Sequence, residues 1–127
     1  MNEVDRILHG GRAPKRSDGY VHFEQRPQMG FEVERKTGAS DAFYYHNIDN
    51  LDIRVIKGHE HLVFTHRQKV VVAQGKNLKA ILRGLIAHSV SSFRDFCEGD
   101  PKEDEAKIDF IQIASLENRA LDDMVAV

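Results

Sequence analysis

The chain has 127 residues, 41% hydrophobic and 30% charged, with a net charge of −2. That composition belongs to one globular domain with a single core and excludes a disordered chain. No apolar run approaches the roughly 18 residues of a membrane-spanning helix, and 18 Lys and Arg against 20 Asp and Glu lack the basic excess of a nucleic-acid-binding domain.

One cysteine, Cys97, cannot close an internal disulfide. With no charged-then-apolar leader at the start, this points to a cytoplasmic protein. Charge is unevenly spread. Residues 29–94 carry ten Lys and Arg against six Asp and Glu, whereas residues 95–127 carry three against ten. The two halves present opposite fields.

Residues 1–19 read as a flexible leader, broken by Gly10, Gly11 and Pro14. The single α+β domain is expected over 20–114, with 115–127 a polar C-terminal tail. Residues 20–24 form the first expected strand, ended by Pro27. Residues 31–35 alternate apolar and charged, the pattern of a strand with one buried face. Residues 42–46 make a third strand. A bend at Asp49 and Asn50 leads into a fourth over 51–56.

The stretch 51–74 reads as a meander. Residues 57–60 form a four-residue loop, and Arg67 and Gln68 a two-residue link. With those loops Val55 faces Leu62, Ile53 faces Phe64, and Phe64 faces Val71. Alternation then gathers Leu51, Ile53, Val55, Leu62, Phe64, Val71 and Ala73 on one core face. The opposite face holds Asp52, Arg54, His61 and Thr65, but also Ile56, Val63, Val70 and Val72. A water-exposed sheet face is normally polar. We therefore expect this second face to be covered, by the chain's own ends or by another copy.

Gly75 breaks the last strand, and Asn77 offers an N-cap. Leu78, Ile81, Leu82, Leu85, Ile86, Ser89, Phe93 and Phe96 follow at spacings of three and four. This predicts one long amphipathic helix over about 77–98, stopped near Gly99. Residues 100–107 are an acidic loop. Residues 108–113 have strand propensity, with helix the alternative. The fold class is thus α+β, an antiparallel sheet of five to seven strands followed by a long helix. That order is similar to the pleckstrin-homology-type barrel, and a two-layer sandwich gives the same pattern.

No catalytic or cofactor motif is present. His59 and His61, two apart near the hairpin loop, are candidate metal ligands, with His46 and His66 near in sequence. Gly75, Lys76 and Asn77, at the expected helix start, are candidate anion-binding residues. Cys97, late in the expected helix and beside Glu98, is a poor nucleophile. Tyr44, Tyr45, Arg54, Arg67, Lys69 and Lys76 form a basic and aromatic strip, but Tyr44 and Tyr45 point to opposite sides of a strand. The leading expectation is a non-enzymatic binding or assembly module that self-associates through Ile56, Val63, Val70 and Val72. The alternative is a small-ligand or metal-binding protein, with an enzyme among the options, using the His59–His61 hairpin or the anion-favouring helix start at Lys76.

Overall fold

The computed structural model describes residues 19–97 and 102–116. The leader up to residue 18 and most of the C-terminal tail lie outside them. Eight strands form two four-stranded sheets. In chain order they are β1 (Val21–Phe23), β2 (Gly30–Glu34), β3 (Ser40–Tyr44), β4 (Ile48–Ile56), β5 (His59–His66), β6 (Lys69–Lys76), β7 (Val90–Arg94) and β8 (Lys107–Ser115). A single turn of 3₁₀ helix, Tyr45–Asn47, separates β3 from β4, and helix α1 (Lys79–Ile86) separates β6 from β7. The α+β class holds.

The first sheet has the order β1-β7-β2-β3, and β7 runs parallel to β2. The second has the order β4-β5-β6-β8 and is antiparallel throughout. Residues 107–115 are strand, which resolves the strand-or-helix alternative. No helix among the described residues is long and apolar enough to cross a membrane.

The core lies between the sheets. Phe31, Phe43 and Phe93 from the first face Leu62, Phe64, Val71 and Ala73 from the second. Phe31 sits at the centre, with four rings within 6 Å: Phe43 at 5.6 Å, Tyr45 at 5.1 Å, Phe64 at 5.7 Å and Phe93 at 5.8 Å. Such ring pairs add about 0.5–1.5 kcal/mol each beyond the area they bury. Leu78, Ile81 and Leu85 of α1 join the same cluster, so the expected helical stripe does face the core.

The stripe ends sooner than its spacing suggests. The helix has eight residues and stops at Ile86, correcting the expectation of a helix to about residue 98. The Ser89 N–H bonds the Gly84 carbonyl at 2.8 Å and the His88 N–H bonds that of Leu85 at 3.1 Å. With His88 at φ 60, this is a Schellman stop, and histidine tolerates the left-handed region better than most residues. Ser89, Val90, Ser91 and Ser92 are all weak helix formers, and four residues after the helix the chain is already β7. The helix is therefore not the closing element, since two strands follow it. The strands-then-helix order expected from the sequence does not occur.

The meander differs from expectation at one turn. Lys57 and Gly58, at φ 54 and 81, form a two-residue loop that pairs Ile56 with His59. Positive φ at both positions is the requirement of a type I′ turn. Ile53 therefore faces Leu62 rather than Phe64, and Val55 faces Glu60 rather than Leu62. The slip is of two residues, which leaves the faces unchanged. The expected pairing of Phe64 with Val71 is observed. A bulge between Asp49 and Asp52, with Asn50 at φ 54, makes the expected bend.

Candidate functional site

His59 is exposed at the hairpin, and His61 is buried two residues on, with its Nδ1 3.1 Å from the His59 carbonyl oxygen. The one ring nitrogen is thus directed at its own strand. His66 lies at the far end of β5, where its Nε2 accepts the Tyr44 N–H at 3.0 Å. Among the described residues no group of three or more His, Cys, Asp or Glu is arranged to hold a metal ion.

At the helix start the chain supplies its own anion. The Glu60 carboxylate accepts the Leu78 N–H at 2.9 Å, taking one of the donors a helix leaves open at its first turn. Asn77 is not the N-cap. Leu78 holds that position, without a side-chain cap. The Asn77 amide reaches away instead, donating to the carbonyls of Glu103 and Glu105. Gly75 is needed for contact, because a Cβ there would collide with the Lys107 carbonyl oxygen where β8 crosses.

Val63, Val70 and Val72 form a second, smaller cluster on the outer face of the second sheet, with Ile56, Ala114 and Leu116 packed against it. Val70 and Val72 are 0% exposed within one chain. These valines are thus buried before any partner copy is added. The Leu116 N–H bonds the Gln68 carbonyl at 2.7 Å, which holds the end of β8 beside the β5–β6 turn.

The adjoining strand presents a different surface. β4 is nine residues long and pairs only with β5 among the described residues. Its inner-face residues Leu51 and Ile53 are half-buried against the main core, but Val55 is 67% exposed. On its outer face Arg54 Nε lies 3.4 Å from Asp52 Oδ2, both side chains largely in solvent. A shallow groove of about 290 Å³ runs between the start of β4 and the end of α1, lined by Ile48, Leu51 and Ile86 among others. Ile86 is itself exposed. The sequence reading placed these residues on their faces but missed that β4 is an edge. The signal was local: Leu51, Asp52, Ile53, Arg54 and Val55 are nearly symmetric about Ile53, with opposite charges on either side.

A larger cleft, about 540 Å³, opens between β1 and the segment before β8. It is lined by Tyr20, His22, Phe23, Ala80, Lys102 and Glu105 among others. Burial, and then the charges of Cys97 and Asp109, raise the Tyr20 phenol above its ordinary value.

Near the groove, Tyr45 stacks on His88 at 4.3 Å, and its hydroxyl donates to the Val90 carbonyl at 2.6 Å while accepting the Val90 N–H at 3.1 Å. Burial pushes this phenol up to about 12. Tyr45 is thus structural, and Tyr44 alone of the pair is at the surface. The basic and aromatic strip is accordingly split.

Compared with protein-family models, curated proteins and solved structures, the chain matches none of them.

Proposed function

We propose that this protein is a small assembly module that works by self-association. The observation that supports this reading is the β4 edge. A long strand with no partner on one side among the described residues, and with a valine 67% exposed, is a template for another chain unless something blocks it. The sequence pointed to self-association through Ile56, Val63, Val70 and Val72. With three of these inside a covered cluster, the proposal moves the contact to the neighbouring strand.

The test is the mass in solution, by light scattering across micromolar to millimolar concentration. Assembly requires a mass that rises to twice that of the chain. A single-chain mass throughout would rule the reading out.

A second reading, binding of a small ligand, is supported by the cleft of about 540 Å³ beside Tyr20 and Glu105. Its volume lies within the roughly 300–1,000 Å³ usual for ligand sites. A thermal-shift panel of nucleotides, sugars and small anions tests it. A shift that is lost on Ala80→Trp supports this reading, and no shift with any of them counts against it.

A further inference from the structure

Hairpin geometry decides which way the β4 backbone faces. A two-residue loop makes Ile56 and His59 the closing hydrogen-bonded pair. Pairs then alternate along an antiparallel ladder. Ile56, Arg54 and Asp52 therefore direct their N–H and C=O groups to β5. Those of Val55 and Ile53 face the side of β4 that has no partner strand among the described residues. The Ile53 N–H agrees with this, because it donates to the Asp52 carboxylate at 2.8 Å rather than to a strand.

We propose that a second copy of this chain occupies the edge, β4 against β4, antiparallel about a two-fold axis at Ile53. The proposal rests on the assembly reading above and gives it a register. The two Ile53 residues exchange backbone hydrogen bonds. Leu51 of each copy comes opposite the partner's Val55. Asp52 faces the partner's Arg54, and Arg54 the partner's Asp52. These are non-hydrogen-bonded positions, where side chains approach most closely.

Each copy exchanges one ion pair within its strand for one across the interface, and frees the Ile53 N–H from Asp52. Each exposed Val55 comes to lie beside the partner's Leu51, which lines the groove with the exposed Ile86. Charge selects the register. Moving the axis to Asp52 or Arg54 sets like charges against each other, and moving it to Leu51 or Val55 leaves both charges unmatched. The product is one continuous eight-stranded sheet.

Charge reversal tests this. Asp52→Arg alone, or Arg54→Asp alone, places like charges opposite one another twice per dimer. Each should weaken self-association roughly tenfold or more. An equimolar mixture of the two variants restores opposite charges at both positions and should form the heterodimer, read by native mass spectrometry. Circular dichroism checks that each variant folds. Val55→Arg, at an exposed position, is a third variant expected to weaken the dimer.

Three outcomes are distinct. Weak single variants with a restored heterodimer support the proposal. A wild-type dimer indifferent to all three substitutions overturns the β4 register while leaving the assembly reading in place. A wild-type protein that is monomeric at every concentration overturns both.

Discussion

The Glu60 carboxylate and the Leu78 N–H, 2.9 Å apart, tie the β5 strand to the start of the only α-helix among the described residues. A charged acceptor at a helix start is stabilising through both the hydrogen bond and the helix dipole. Glu60→Ala should cost about 1–2 kcal/mol in urea unfolding, and Glu60→Gln, which keeps an acceptor, about half as much. Because the wild-type chain occupies this position itself, millimolar phosphate should leave its melting temperature unchanged. A clear rise would revive the anion site expected at Gly75, Lys76 and Asn77.

Tyr45 satisfies both backbone groups of Val90. Tyr45→Phe keeps the ring and strands a buried N–H and C=O, at about 2–4 kcal/mol. The phenol also makes a pH prediction. Its folded value, about 12, lies above the ordinary 10.0. The stabilisation is therefore complete below pH 10 and lost as pH rises from 10 through about 12. The Phe variant should lose less stability over that interval, which alkaline melts measure.

His66 gives the opposite sign. Burial, and then the nearby Arg67, hold its imidazole below the ordinary value, with Lys69 and His46 adding to the effect. A neutral His66 accepts the Tyr44 N–H; a protonated one cannot. The unfolded chain takes up the proton first, so stability is present above pH 6.5 and falls as pH drops below it. His66→Asn should flatten the melting temperature between pH 7.5 and 5. An unchanged slope would remove His66 from the account.

Val72 separates the sequence expectation from the structure. From the sequence, Val72→Asp or Val70→Asp splits an oligomer and leaves a folded monomer. In the structure both are 0% exposed, and an unpaired carboxylate there costs several kcal/mol. Either substitution should unfold the chain, with loss of the cooperative melt. A folded monomer with a native melt would place the interface on the valine face after all.

Much of the second sheet was legible because alternation is local. The slip at Lys57 and Gly58 changed the partners of Ile53 and Val55 but not their faces, since two residues restore the side-chain period. Val55 shows the limit of that reasoning. It was assigned to the core face and lies on that side, but beyond the reach of the core. The helix was misjudged because Ser89, Phe93 and Phe96 continue the spacing of Leu78, Ile81 and Leu85 by coincidence. The left-handed turn at His88 outweighs periodicity, and Gly84 just before it leaves no room for a Cβ against Phe23 and Val90. The parallel pairing of β2 with β7 joins residues about 60 apart, and Glu60 reaches Leu78 across a strand. Neither relationship leaves a pattern in the intervening sequence.

The central claim is that the side of β4 turned away from β5 becomes paired on self-association. Amide hydrogen exchange at Ile53 and Val55, compared between dilute and concentrated protein, tests it most directly. The account predicts fast exchange at both amides in dilute solution and strong protection at high concentration, with Arg54 protected throughout by β5. Equal exchange at Ile53 and Val55 under both conditions, in a sample whose mass has doubled, would contradict it.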